Sequence, residues 1–133
     1  MLSERTFKLL SDRTRIRILM LLDKGELCVC QIMAVLDVSQ PLVSKNLSLL
    51  SAGGFLDERR DGKLVFYSIR KELDPGLIEL IGLLKKSVVN DIDIKNDFLE
   101  LNECMQYQKK KGTCDMKSFK EYMNRKKRRK KNA

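Results

Sequence analysis

Cys28 and Cys30 stand two residues apart in the stretch ELCVCQIM, and Cys104 and Cys114 are the chain's other two cysteines. Two or three thiolates at close range make a site for a soft, thiophilic ion. The same sulfurs suit a thiol-redox sensor, and buried cysteines also serve simply as small hydrophobes. The chain has no histidine. That excludes Ser-His-Asp and Cys-His catalysis, and any zinc site that needs a His ligand. Four thiols in 133 residues do not make a disulfide scaffold, so reduced thiols or a metal site are expected.

A second set of residues has the chemistry to read nucleic acid. Gln40, Ser44 and Ser48 recur at i, i+4 and i+8, with Lys45 beside them and Ser39-Gln40-Pro41 leading in. Hydrogen-bonding side chains on one helix face match the donor and acceptor pattern of a major groove. Arg59, Arg60 and Lys63 follow at the tip of a hairpin pattern, placed for phosphates or a minor groove. A polar helix face is otherwise an ordinary solvated surface; the cations directly after it favour the DNA reading.

Positioning these groups requires a definite set of elements. Residues 3–10 form a short helix, and Asp12 caps a second one with Ile16, Leu19 and Met20 on one face, ending at Gly25. A third helix runs from Glu26 to Leu36 and carries both Cys28 and Cys30. Ser39 caps a fourth, with Pro41 in its first turn and Val43, Leu47 and Leu50 as its buried stripe; Gly53 and Gly54 end it. Residues 55–69 alternate as a β-hairpin around Asp61-Gly62. A helix over 74–90 has Leu77, Leu80, Ile81, Leu84 and Val88 on one stripe, widened by Ile78 and Leu83. That is broader than so small a domain needs, and predicts a dimer interface. Residues 91–108 form a further helix, KKKG at 109–112 breaks it, and Met116, Phe119 and Met123 lie in helical register.

The chain carries 27 Lys and Arg against 18 Asp and Glu, a net charge of +9. Residues 117–133 hold nine of those cations against Glu121 alone, so residues 1–116 are close to neutral. The expected organisation is a winged-helix body over 1–90, a helical extension over 91–116, and a basic, disordered tail over 117–133. No apolar run reaches the ~18 residues of a membrane span, and no signal-peptide pattern opens the chain. A cytoplasmic protein is expected.

Taken together, LSDRTRIRILMLL, ELCVCQIM and SQPLVSKNLSLLSAGGFLDERRDGKLVFYSI resemble the ArsR/SmtB family of metal-responsive repressors, specifically its arsenic-sensing branch. The resemblance spans about residues 3–90. It implies a mainly α winged helix-turn-helix with a β-hairpin wing, a homodimer formed through the N-terminal helix and the 74–90 helix. It further implies an operator DNA partner with an inverted repeat, an As(III) or Sb(III) inducer, and no organic cofactor or enzymatic activity. The chain departs from the family at three places. Asp12-Arg13-Thr14-Arg15 replaces Asp-Pro-Thr-Arg. Asn46 stands where a recognition-helix His is common, which is expected to alter operator preference. Met33 stands where a third Cys is usual.

Trivalent arsenic takes three sulfurs in a pyramid. Two residues apart on a regular helix, Cys28 and Cys30 point about 200° from each other. Metal–sulfur bonds of roughly 2.3 Å require two sulfurs within ~4.6 Å. Inducer binding is therefore expected to unwind the start of this helix, just ahead of the recognition helix. A third ligand comes from Cys104 or Cys114, of the same or the partner chain, or from a solvent or cellular thiol. Cys104 and Cys114 also stand as a pair that could form a site of their own. Zinc, cadmium and nickel sensing through the family's dimer-helix site is disfavoured, because that site uses His. Two alternatives stay open: a thiol-redox repressor on the same fold, and a non-specific nucleic-acid binder acting through the tail.

Overall fold

A computed structural model describes residues 2–111 and 116–131. Helix α1 spans Glu4–Leu9 and α2 Arg13–Asp23; β1 is Leu27–Cys28 and α3 Val29–Leu36; α4 spans Gln40–Ala52. The hairpin is β2 Leu56–Asp61 with β3 Leu64–Ile69, followed by α5 Pro75–Ser87, α6 Ile92–Lys111 and α7 Met116–Lys131. Mainly α with one small antiparallel sheet, it is a winged helix-turn-helix, with α3 and α4 the helix pair and β2–β3 the wing.

Local chemistry sets the starts of the helices. The Asp12 carboxylate accepts from Arg15 N–H at 3.0 Å and Ser39 Oγ from Leu42 N–H at 3.4 Å, each satisfying a first-turn donor. Asp74 does the same for Gly76 at 3.1 Å. The wing turns through Gly62-Lys63, one residue later than Asp61-Gly62, because Asp61 still pairs with Leu64. Gly62 has φ 61°, as the first residue of a II′ hairpin turn requires. Gly53, just past α4, is packed by Leu9 so closely that a Cβ would collide with it.

Helix α2 is the centre of the molecule. Ile18, Leu19, Met20, Leu21 and Leu22 are all buried, because α3, α4, α6 and β3 pack around it. Its single expected face of Ile16, Leu19 and Met20 is therefore too narrow. Val43, Leu47 and Leu50 of α4 are fully buried against this core, with Phe55 beyond them.

Three expectations need correction. Leu27 and Cys28 are not helical: they form β1, which pairs antiparallel with the wing strand β3 in the order β1-β3-β2, Leu27 opposite Tyr67 and Cys28 opposite Phe66. Lys109–Lys111 do not break the chain but continue α6. The segment read as a disordered tail forms α7 over Met116–Lys131. Tyr122 and Lys126 of α7 are buried, and α7 packs against α3 and α6. Cys114 and Gly112 lie outside the described residues.

Candidate thiol site and nucleic-acid interface

Cys28 occupies a joint in the fold. It is the last residue of β1 and the N-cap of α3, with extended backbone at φ −91° and ψ 167°. Its N–H donates to Gln31 Oε1 at 2.9 Å, while its side chain faces the Gln31 N–H, a reciprocal cap closed by sulfur instead of a hydroxyl. Cys30 is inside the first turn of α3. With Cys28 outside the helix, the 200° separation of two helical residues does not apply to this pair.

Cys28, Cys30 and Cys104 are all buried, at 1%, 6% and 1% exposure. Cys104 lies on α6, which packs along α3. Burial first, then the Cys28 sulfur, push the Cys104 thiol up to about 12, while the Lys126 ammonium acts in the opposite sense. Gln31, which caps Cys28, donates from Nε2 to Gln108 Oε1 of α6 at 2.9 Å, with both residues buried. From α7, Lys126 Nζ reaches the Ala34 carbonyl of α3 at 3.3 Å and Glu100 of α6 at 3.2 Å. Tyr122 donates to the same Glu100 carboxylate at 3.1 Å. The thiols thus sit beside a buried polar cluster shared by α3, α6 and α7. Among the described residues, no three His, Cys, Asp or Glu side chains are gathered closely enough to hold a metal ion.

On α4, Ser39, Gln40, Pro41, Lys45 and Ser48 are exposed and Ser44 is half-buried, so the polar face points outward as the spacing implied. Asn46 does not share that face. It is buried at 3%, and its Oδ1 accepts from Arg15 Nη1 at 3.1 Å. The same guanidinium donates to the Leu9 and Lys8 carbonyls at the end of α1, at 2.7 and 3.4 Å. Asn46 therefore faces inward and fixes α4 to α2, and through the Arg15 guanidinium to the end of α1.

Arg60 and Lys63 on the wing are exposed. Arg59 is exposed too, but it is engaged: it chelates the Glu26 carboxylate, Nη2 to Oε1 at 2.7 Å, and lies 4.6 Å over the Phe66 ring. Arg59 holds Glu26 below the usual carboxylate range. Because Phe66 opposes Cys28 in the sheet, Glu26, Arg59 and Phe66 tie the wing to the thiol joint. Sequence reasoning placed Arg59 among phosphate contacts and missed Glu26; two opposite charges 33 residues apart give no local signal.

An exposed polar face on α4, a wing that presents Arg60 and Lys63 to solvent, and a buried thiol joint between them define a winged-helix regulator of the DNA-binding class. Residues 12–58 match the family model described as "Bacterial regulatory protein, arsR family". The cadmium resistance transcriptional regulatory protein CadC homolog of Staphylococcus aureus is 38% identical over 87 residues, 65% of this chain and 72% of that protein. The chain belongs to the ArsR family.

The arsenic resistance transcriptional regulator ArsR2 of Pseudomonas putida is 43% identical over 76 residues, covering 56% of this chain and 66% of that protein, just under two thirds of its length. Among solved structures, the homodimeric winged helix-turn-helix domain of a possible ArsR-family regulator from Mycobacterium bovis is similar with a TM-score of 0.55 and 30% identity. That match covers 66% of this chain and 79% of that one. The antimony-specific transcriptional repressor AntR is similar with a TM-score of 0.50 and 32% identity, over 59% and 68% of the two chains.

Proposed function

We propose that the protein is a homodimeric transcriptional repressor that binds an inverted-repeat operator and leaves it when As(III) or Sb(III) binds Cys28 and Cys30. The observation that carries this reading is the position of Cys28. It closes the strand that pairs with the wing and caps the helix that leads into α4. A ligand that captures this sulfur competes with the Gln31 cap and with the β1–β3 pairing, so one event disturbs both DNA-contacting elements. The names of the Pseudomonas putida and AntR relatives support an arsenic or antimony inducer.

Operator recognition then uses Ser39, Gln40, Pro41, Ser44, Lys45 and Ser48 in the major groove, with Arg60 and Lys63 on the backbone and Arg59 acting through Glu26. Dimerisation uses α1 and α5, where Phe7, Ile78 and Leu83 are 55%, 56% and 62% exposed, large apolar groups that a partner would cover. The third sulfur comes from Cys104 or Cys114. Arsenous acid and thiols exchange without any change of oxidation state, so release under full reduction separates this reading from a redox sensor. The test is an operator mobility-shift titration with arsenite in a phosphine reductant. Release of DNA supports the reading, whereas release by oxidant alone rejects it.

A further inference from the structure

We propose that the cleft between the α2–β1 turn and α6 binds a small aromatic anion, and that the bound anion acts on the wing through β1. The inference stands apart from the metalloid reading, since no described cysteine lines this cleft.

The cleft holds about 350 Å³, within the roughly 300–1,000 Å³ of small-molecule sites. From α6, Phe98, Leu101, Asn102 and Met105 recur at i, i+3, i+4 and i+7, one stripe of the helix. Lys24, Glu26 and Leu27 line the opposite wall. Leu27 and Leu101 are 1% and 5% exposed and make an apolar floor, while Met105 is 48% exposed and leaves a large apolar group bare to solvent. A flat ring covers such a surface at little cost in conformational freedom, and the Met105 sulfur makes favourable contact with an aromatic edge.

The sign of the ligand's charge follows from which charge at the rim lacks a partner. Glu26 is matched: Arg59 holds its carboxylate through Nη2 at 2.7 Å and through Nε at 3.1 and 3.2 Å. Lys24 forms no ion pair among the described residues, and its ammonium lies 4.6 Å from the centre of the Phe98 ring. The unmatched charge is positive and stands against an aromatic face. The cleft therefore favours a carboxylate carried on a ring over a neutral or cationic ligand. Asn102, exposed at the same rim, offers amide donors to the carboxylate.

The same cleft meets the wing. Leu27 pairs with Tyr67 of β3, and the next residue, Cys28, with Phe66. Glu26 anchors Arg59 of β2, whose guanidinium covers that Phe66. A ligand seated against Leu27 requires β1 in its paired position and stabilises this arrangement of the wing by mass action.

The experiment is an amide NMR titration of the full chain with 2-naphthoate, against the neutral isostere 2-naphthylmethanol. Naphthoate should give saturable shifts over residues 24–27 and 98–105, with a dissociation constant of about 1 mM or tighter, as its size allows at ordinary ligand efficiency. Naphthylmethanol should bind more weakly. Lys24→Met keeps the apolar stem over Phe98 and removes the charge. It should weaken naphthoate about fivefold, an exposed ion pair's worth, and leave naphthylmethanol unchanged. With naphthoate bound, the shifts should continue to Arg59 and Phe66. No saturation at the cleft, or equal binding of naphthoate by wild type and Lys24→Met, would overturn the site. Saturation at the cleft with Arg59 and Phe66 unmoved would overturn its link to the wing.

Discussion

Asn46→Ala is the most informative single change on the DNA-binding helix, because the residue sits on α4 yet faces inward. Arg15 is a charged group only 16% exposed in its side chain, and its guanidinium has three hydrogen-bond acceptors: Asn46, Leu9 O and Lys8 O. Its ion pair with Asp12 is stretched to 3.9 Å and does not replace a lost acceptor. A hydrogen bond to a charged donor contributes about 1.5–3 kcal/mol, and Asn46 is 3% exposed, so water cannot easily take its place. Asn46→Ala should therefore destabilise the fold by about 2 kcal/mol. The assay is urea unfolding at fixed protomer concentration, with operator titrations on single-base variants alongside. Affinity for all sequences should fall together, with base preference unchanged. In a double-mutant cycle, Arg15→Met and Asn46→Ala should couple by roughly 1 kcal/mol. A stability change below about 0.5 kcal/mol together with altered base preference would refute the strut and return Asn46 to the DNA face.

Three further outcomes follow from the same contacts. Gln40→Ala or Ser44→Ala should lose roughly 1–3 kcal/mol at particular base pairs. Arg60→Ala and Lys63→Ala should each lower the salt slope by about one, measured by operator binding from low to high salt; Arg59→Ala should lower it less, since Glu26 already holds that cation. Arg13 holds the Asp91 carboxylate below its ordinary value of 3.8. The stability from that pair is complete above 3.8 and is lost as pH falls through the lower folded-state value; Asp91→Asn should flatten this acid limb in a pH series of unfolding midpoints. Truncation after residue 116 removes the buried Tyr122 and Lys126 and should cost about 3 kcal/mol, an aromatic truncation's worth, where a disordered tail would cost nothing.

Much of the fold is legible because its signals are local. Ser39 with Pro41 marks the start of α4, Val43, Leu47 and Leu50 declare its buried stripe, and Gly62 marks the wing. The misread parts depend on partners distant in sequence. Leu27-Cys28 continues the apolar run of α3, and only the returning β3, some 40 residues on, turns it into a strand. The α7 segment has a composition dominated by Lys and Arg, yet Tyr122 and Met123 join the core and Lys126 bonds to the Ala34 carbonyl of α3. At the candidate site, the thiols and the outward polar face were legible from residue type and spacing. The Gln31 cap, the Glu26–Arg59 pair and the inward Asn46 were not, because each joins residues whose proximity the fold alone creates.

The central claim is that the thiols at the head of α3 govern release from DNA. It is tested most directly by arsenite titration of operator complexes formed by Cys28→Ser and Cys30→Ser, under a phosphine reductant. A hydroxyl is nearly isosteric with a thiol but a poor ligand for a soft ion. Both variants should bind operator as wild type does and stay bound at arsenite concentrations that release wild type completely. Release of either variant at the wild-type concentration would contradict the account.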